Sequence, residues 1–155
     1  MELSKDFKEF LELLNVHKVR YLIVGGYAVN FHGYPRYTKD IDLWIWLKRE
    51  NLTSLLNALQ EFGISADSLS ESDLYEKSNI IQLGYEPHRI DLLMDVDGID
   101  FESCFENRKA VTLEDIEINF LSIDDLIIAK KSMCRLQDLA DAEQLEKIRK
   151  KGAAR

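Results

Sequence analysis

The chain has 155 residues, of which 46% are hydrophobic and 31% are charged, and its formal net charge is −8 at pH 7. This length predicts one domain, residues 1–155, with room for a proper core. The acidic balance argues against a large RNA or DNA surface, because such surfaces are basic and the one cationic run occupies residues 147–151.

No stretch approaches the ~20 consecutive apolar residues that span a bilayer, and the acidic start of the chain differs from a signal peptide. We therefore expect a cytoplasmic protein without a membrane partner. The two cysteines, Cys104 and Cys134, lie far apart in the sequence and have no further ligands at metal-binding spacing. Free thiols are expected rather than a disulfide.

The first predicted elements are a helix and a strand. Residues 4–16 predict an amphipathic helix, because apolar side chains recur on one side of it. Those side chains are Phe7, Phe10, Leu11 and Leu14. Residues 19–24 are rich in β-branched and aromatic side chains, which predicts a strand.

A glycine pair, Gly25-Gly26, follows this strand and precedes a short predicted helix over residues 27–32. Glycines let a ligand approach the main chain closely. The free backbone N–H groups at the start of a helix can bind an anion such as a phosphate. A plain tight turn is the alternative interpretation.

Two aspartates one residue apart, Asp40 and Asp42, lie in the next predicted strand. Side chains alternate across a strand, so both carboxylates point to one face. The apolar residues 41–47 predict a central strand that is covered on both faces. Two like charges held so close favour a divalent cation between them, and carboxylate oxygens suit Mg²⁺. Two solvated acids on an edge strand are the alternative.

This pattern resembles the signature of the DNA polymerase β-type nucleotidyltransferase superfamily, in its small stand-alone, AbiEii-like branch. The matching residues are Gly25-Gly26-Tyr27-Ala28, His32-Gly33, Arg36, Thr38 and Asp40-Ile41-Asp42-Leu43. The resemblance covers most of the chain. It implies that Gly25 and Gly26 hold the triphosphate of an NTP, and that Asp40 and Asp42 bind two Mg²⁺ ions. Many members carry a serine where Tyr27 stands, so the resemblance implies backbone contacts to the phosphate here rather than a hydroxyl contact.

Residues 52–62 predict a helix closed by Gly63, and residues 78–83 and 88–94 predict a hairpin. Asp91 is the acid within the returning strand. It could pair with Arg89 or be solvated. Because the resemblance implies a third carboxylate on a neighbouring strand, we predict that Asp91 completes the metal site.

Asp95 and Asp97 are rivals for this role, but they lie beside Gly98, where a turn is predicted. In the implied chemistry, two metal ions hold the attacking and leaving oxygens in line. Asp40 and Asp42 would bridge both ions. Asp91 would bind the ion that lowers the pKa of the incoming hydroxyl, and could receive its proton.

Residues 110–113 and 116–121 predict a second hairpin, and helices over about 122–133 and 138–150 form the C-terminal part of the domain. Ser122 is the predicted N-cap of the first helix. Its predicted buried stripe consists of Leu126, Ile127, Ala129 and Met133. The predicted apolar side chains of the second helix are Leu139, Leu145 and Ile148.

Two cations are candidates for contact with the phosphates. Lys130, together with Arg135, matches a Leu-Ile-x-x-Lys helix followed by Arg and Asp that recurs in the resembled branch. A lysine near a helix end is usually solvated, which is the alternative interpretation of Lys130. Arg36 could bind phosphate or hold Asp40 in place, and the sequence does not separate these two roles.

The sequence thus predicts an α/β (α+β) nucleotidyltransferase fold, with a mixed β-sheet flanked by helices. The expected activity is Mg²⁺-dependent transfer of an NMP group from an NTP to a hydroxyl of a protein, an RNA end or a small molecule. The branch resemblance implies a place in a toxin–antitoxin or phage-defence pair, with a cognate toxin or antitoxin protein as partner. The alternative is a catalytically silent module that keeps the fold and acts by binding a protein.

Overall fold

The computed structural model describes residues 3–64, 69, 71–76, 80–85 and 87–153. They form a mixed six-stranded sheet flanked by helices. The strands are β1 (Tyr21–Val24), β2 (Ile41–Ile45), β3 (Ile80–Leu83), β4 (Ile90–Leu93), β5 (Lys109–Leu113) and β6 (Ile116–Phe120). The helices are α1 (Lys5–Val16), α2 (Gly25–Phe31), α3 (Arg49–Phe62), α4 (Glu71–Tyr75), α5 (Phe101–Glu106), α6 (Ile123–Met133) and α7 (Leu136–Ala153). Within these described ranges, none of the helices is long and apolar enough to cross a membrane.

The strand order is β3-β4-β2-β1-β6-β5, which places β2 and β1 at the centre of the sheet. β1 runs antiparallel to β2 and parallel to β6, while β2 runs parallel to β4. The outer pairs, β3 with β4 and β5 with β6, are antiparallel hairpins. These features confirm the predicted α/β fold with a mixed sheet, and β2 has the central position that its apolar residues predict.

Helix α1 carries the apolar face that its sequence predicts. Ser4 caps the helix by accepting a hydrogen bond from the N–H of Phe7 at 3.2 Å. The four predicted core residues, Phe7, Phe10, Leu11 and Leu14, are fully buried. The ring of Phe10 contacts that of Phe62 in α3, with centroids 5.0 Å apart. Burial of each such side chain stabilises the fold by about 1.5–3 kcal/mol.

Two element boundaries near the glycine pair differ from the prediction. Strand β1 begins at Tyr21 rather than at residue 19. Lys18 has a positive φ of 57°, and the N–H of Val19 still bonds to the carbonyl of Leu14 at 2.9 Å, so both residues belong to the exit from α1. Helix α2 begins at Gly25 itself, so the predicted glycine turn is the first turn of that helix.

Further differences lie in the helices. Helix α3 begins at Arg49 rather than at residue 52, α7 begins at Leu136 rather than at residue 138, and the short helices α4 and α5 were not predicted. The β5–β6 hairpin is confirmed. Its turn residues, Glu114 and Asp115, have φ values of 49° and 68°, as tight hairpin turns require. Residues 78, 79 and 86 of the other predicted hairpin lie outside the described residues.

One buried polar side chain, Asn51 in α3, joins the helix to both central strands. Its Oδ1 accepts a hydrogen bond from the N–H of Arg20 at 2.7 Å. Its Nδ2 donates to the carbonyls of Arg20 and Trp46, at 3.1 and 2.8 Å. Asn51 therefore gives the N–H of Arg20, just before β1, its partner, and it adds a second hydrogen bond to two carbonyls that also accept from the backbone N–H groups of Trp46 and Lys48.

We expect Asn51→Ala to lower the free energy of unfolding by about 2 kcal/mol, because it removes three hydrogen bonds and leaves the N–H of Arg20 without a partner. Urea unfolding curves would measure the change. Thr53→Ala is the matched control on the same helix, since this exposed hydroxyl bonds to the carbonyl of Arg49 at 3.1 Å. Equal losses in both variants would contradict a special role for Asn51.

Candidate active site

Three aspartates meet at one end of the sheet. Asp40 immediately precedes β2, Asp42 lies in β2, and Asp91 lies in the neighbouring parallel strand β4. Asp42 and Asp91 are register partners, so their side chains stand on the same face of adjacent strands. Asp91 is 7% exposed. The structure therefore brings together the three carboxylates singled out in the sequence, while Asp95 and Asp97 follow the end of β4 and are exposed.

The glycine pair lies against this cluster. Val24 is the register partner of Asp42, and Gly25 follows it with a φ of 70°. A β-carbon at Gly25 would collide with the carboxylate of Asp42, and one at Gly26 would lie 2.6 Å from Oγ1 of Thr38. Glycine is required at both positions because the main chain passes so close to these side chains. The backbone proposed to hold a triphosphate is thus directly beside the proposed metal ligands.

Burial and two acidic neighbours disfavour the charged form of Asp42. Burial, together with the charges of Asp91 and Asp40, raises the pKa of its carboxyl from 3.8 to about 6. Within the described part of the chain, Oδ1 of Asp40 is buried and has no hydrogen-bond partner. A buried carboxylate oxygen without a partner lowers the stability of the fold, so a positive charge at this end of the sheet would be stabilising.

Arg89 supplies positive charge to two of the three carboxylates. Its Nε and Nη2 donate to Oδ1 and Oδ2 of Asp91 at 2.7 and 3.0 Å, and Nη2 lies 3.0 Å from Oδ2 of Asp40. The pairing of Asp91 with Arg89 was one of the alternatives left open by the sequence. Because Arg89 precedes Asp91 by two residues, the strand period places both side chains on one face.

The donor set fits Mg²⁺. Three carboxylates supply the hard oxygen ligands that this ion prefers, and the partnerless oxygen of Asp40 is free to bind it. As they stand, however, no group of three or more His, Cys, Asp or Glu side chains among the described residues is arranged to enclose a metal. The position of the Arg89 guanidinium between Asp40 and Asp91 gives a physical reason for this.

A second buried charge cluster lies where α6 packs on α7. Nζ of Lys130 lies 3.3 Å from Oδ1 of Asp138 and 3.0 Å from Oδ2 of Asp141. Nη2 of Arg36 lies 3.2 Å from the same Asp141 oxygen, while Arg135 donates to Oδ2 of Asp138 at 2.6 Å. Lys130 is 6% exposed, and both aspartates are at most 1% exposed. Buried charges of this kind persist only when they are paired.

This cluster corrects two parts of the sequence analysis. Met133 is 41% exposed, so it was wrongly placed in the buried stripe of α6, where Lys130 is buried instead. Leu139 is 43% exposed and is not a core residue of α7, whose buried residues are Asp138, Asp141, Ala142 and Leu145. In both helices, side chains that form ion pairs with each other occupy buried positions that the sequence pattern assigned to apolar residues.

The structure also places the two predicted phosphate-binding cations. Arg36 pairs with Asp141 and not with Asp40, whose partner is Arg89. Its Nη2 lies 3.6 Å from where a β-carbon of Gly26 would be, so the guanidinium borders the glycine pair. The charge of Lys130 reaches the carboxylate cluster, because it acts to lower the pKa of Asp42 against the stronger raising effects.

The residues that sequence reasoning missed are Asp138, Asp141 and the bridging role of Arg89. A signal for the two aspartates was present. They lie three residues apart and therefore share a helix face, and Gln137 and Arg135 flank them with complementary donors. That this face packs against α6, and so meets Lys130, depends on tertiary structure.

A family model described as a nucleotidyltransferase of unknown function (DUF6036) matches residues 1–150. The chain therefore belongs to this nucleotidyltransferase family. No curated protein is significantly similar to it in sequence. The resemblance to nucleotidyltransferases is thus confirmed, whereas the AbiEii-like branch stays a prediction.

Solved structures with a similar fold include the lincosamide antibiotic adenylyltransferase LnuA with lincomycin bound, at 17% identity and a TM-score of 0.60, covering 94% of this chain and 98% of that chain. A protein of Thermotoga maritima described as a nucleotidyltransferase has 17% identity and a TM-score of 0.56, with 96% and 91% covered. An antigenic nucleotidyltransferase-like protein of Paracoccidioides brasiliensis has 15% identity and a TM-score of 0.52, with 94% and 77% covered. At these identities the likeness shows the fold alone, and this fold is that of nucleotidyltransferases.

The raised pKa of Asp42 predicts a stability gain for a neutral replacement. Between pH 3.8 and about 6 the folded chain keeps a proton that the unfolded chain has lost, so the free energy of unfolding falls as pH rises through this window. In EDTA at neutral pH, Asp42→Asn should therefore be more stable than wild type by about 1–3 kcal/mol, and the gain should vanish in acid. Thermal unfolding across this pH range would measure it. Asp95→Asn, at an exposed position, should follow wild type throughout.

Removal of one partner from the buried cluster should be costly. Asp141→Asn leaves Arg36 without its ion pair and Lys130 with one carboxylate, so we expect a loss of about 3 kcal/mol in the free energy of unfolding. Glu143→Gln on the same helix is the control, because this 69% exposed side chain pairs with exposed Lys147 and should change stability by less than about 0.5 kcal/mol. Urea midpoints that shift equally in both variants would contradict the prediction.

Proposed function

We propose that this protein is a Mg²⁺-dependent nucleotidyltransferase that transfers an NMP group from an NTP to a hydroxyl, with pyrophosphate as the other product. The observation that carries the proposal is the direct contact between the glycine pair and the carboxylate cluster. Gly25 packs against Asp42, and Asp91 is the register partner of Asp42 on the next strand. Membership of a nucleotidyltransferase family supports it.

The roles follow from position. The backbone of Gly25 and Gly26 would hold the phosphates of the NTP. Asp40, Asp42 and Asp91 would hold two Mg²⁺ ions, which when bound neutralise the phosphate charge and lower the pKa of the acceptor hydroxyl. Asp91, at the β4 side of the cluster, would orient that hydroxyl and accept its proton. This chemistry consists mainly of positioning and charge neutralisation, which a rigid central sheet is suited to provide.

Two cations complete the proposed site in different ways. Arg36 borders Gly26, and its Nε is buried without a hydrogen-bond partner among the described residues, so it has donor capacity left for a phosphate oxygen. Lys130 is held by Asp138 and Asp141. We therefore assign Lys130 an electrostatic part, in which its charge favours ionised Asp42, in addition to any contact with phosphate.

The acceptor is proposed by class only. The net charge of −8 disfavours a long nucleic acid, which leaves a small hydroxylated molecule, a protein side chain or an RNA end touched over a short stretch. The adenylyltransferase of similar fold has lincomycin bound, which supports a small-molecule acceptor. The AbiEii-like resemblance instead supports a role in the cytoplasm within a toxin–antitoxin or phage-defence pair. Co-expression with neighbouring gene products would separate these settings.

The activity can be tested with Mg²⁺ and each α-³²P-labelled NTP, in the presence of cell extract or a panel of hydroxylated small molecules. Wild type should transfer label to an acceptor. Asp42→Asn should lose transfer by at least about 100-fold, because the site loses a metal ligand that the chemistry requires. Asp95→Asn removes an exposed carboxylate that follows the end of β4 and should transfer at the wild-type rate.

Two results would contradict the proposal. Equal transfer by wild type and Asp42→Asn would show that another site performs the reaction. No transfer with any NTP and acceptor class, together with NTP binding that is insensitive to both Mg²⁺ and Asp42→Asn, would favour the alternative of a protein-binding module.

A further inference from the structure

Arg89 pairs with some oxygens of the carboxylate cluster and leaves others without a partner. Arg89 engages both oxygens of Asp91 and Oδ2 of Asp40. On the other side, Oδ1 of Asp40 has no hydrogen-bond partner, and the carboxylate of Asp42 forms no hydrogen bond or ion pair within the described residues. In the carboxylate cluster, the side at β4 is thus closed, in that both oxygens of Asp91 have a cationic partner. The side at β2 is open, in that it has carboxylate oxygens without one.

A guanidinium and a metal ion compete for the same carboxylate. The planar fork of arginine binds both oxygens at once and leaves few lone pairs in the right direction for a cation. Like charges at this distance also repel strongly, more so where water is partly excluded. A cation can therefore be held by Asp91 only after Arg89 has moved away.

Arg89 has room for such a movement. Its side chain is 24% exposed, whereas the side chain of Asp91 is 10% exposed, so the guanidinium has a path to solvent that its partner lacks. Release breaks the contacts of Arg89 with Asp40 and Asp91, and a cation bound in its place would supply the positive charge that these carboxylates lose. Arg89 is thus positioned to leave the site while the three aspartates stay in place.

We propose that Arg89 is a gate on the second metal position. It leaves the side formed by Asp40 and Asp42 open to one cation and closes the Asp91 side to another until the fork is released. This inference rests on the proposed function. Its consequence is protection of bound NTP, since attack on the α-phosphorus needs the Asp91 side to activate the attacking oxygen.

The reaction that the gate suppresses is hydrolysis. In it, a water oxygen forms a bond to the α-phosphorus, the bond from that phosphorus to the bridging oxygen breaks, pyrophosphate leaves, and the water proton is released. With Arg89 in place, the carboxylate that would receive this proton is occupied. Without acceptor, the wild-type protein should therefore keep NTP largely intact.

The test counts bound Mn²⁺ by electron paramagnetic resonance, with a non-hydrolysable NTP analogue present and no acceptor. Wild type should bind one Mn²⁺ per chain tightly. Its affinity for a second Mn²⁺ should be about tenfold or more lower than the affinity of Arg89→Gln for its second Mn²⁺. Arg89→Lys keeps the charge but loses the planar fork, so its second affinity should lie between the two. Lys48→Gln removes the same charge beyond the opposite end of β2 and should match wild type.

Two further readouts separate a gate from a merely structural residue. In EDTA, Arg89→Gln should melt at a lower temperature than wild type, because the carboxylates lose their counter-ion, and Mn²⁺ should reverse the difference. Hydrolysis of an NTP without acceptor should rise about tenfold in Arg89→Gln, as the second affinity does. A structural role alone would lower stability without increasing Mn²⁺ affinity.

The outcomes are distinguishable from failure of the proposed function. If Asp42→Asn weakens Mn²⁺ binding but Arg89→Gln and Arg89→Lys bind as wild type does, the gate is refuted and the metal site stands. If Arg89→Gln gains affinity for the second Mn²⁺ and Arg89→Lys does not, the positive charge of residue 89 alone weakens metal binding. The proposal that the arginine fork occupies the Asp91 carboxylate is then overturned. If Asp42→Asn leaves Mn²⁺ binding unchanged, the metal site itself fails.

Discussion

Repulsion among three carboxylates at one end of the central sheet is the constraint around which this molecule is organised. Asp42 and Asp91 are fixed by strand register and cannot separate without breaking the β2–β4 ladder, and Asp40 immediately precedes β2. Two cationic side chains and a glycine lie close to these carboxylates. Arg89 bridges two of them, Lys130 acts on the third from α6, and the main chain at Gly25 passes so close to Asp42 that no side chain fits there.

The positive charges around the site are held by negative charges deeper in the protein. Asp138 and Asp141, buried on α7, pair with Lys130, Arg36 and Arg135 and so fix where these cations can lie. Such layering is a common way to keep a functional charge in a defined direction at the expense of stability. An apolar core at the same positions would leave Arg36 without a fixed place beside the glycine pair.

Local patterns in the sequence predicted much of this arrangement. The alternation around Asp40 and Asp42, the glycine pair and the turn at Glu114-Asp115 are short-range signals. The hairpin turn is confirmed, whereas Asp40 lies just before β2 and the glycine pair forms the first turn of α2. What the sequence could not provide were contacts that depend on how distant elements pack. The burial of Lys130 and the choice of Asp141 as partner of Arg36 follow from the docking of α7 on α6, and helix periodicity alone had assigned a core place to Met133 instead. The metal and nucleotide roles of these residues remain predictions.

The ion pair between Arg36 and Asp141 joins residues that are far apart in the sequence, one beside the glycine pair and one in the last helix. Docking of α7 and the geometry of the loop that carries Arg36 are therefore thermodynamically linked. A ligand that contacts Arg36 would bind the form with docked α7 more tightly than a form with α7 detached. Its binding would therefore also stabilise the docking of the C-terminal helix. Local opening of α7 would in turn lower affinity at the opposite end of the chain, without any change in the residues that touch the ligand.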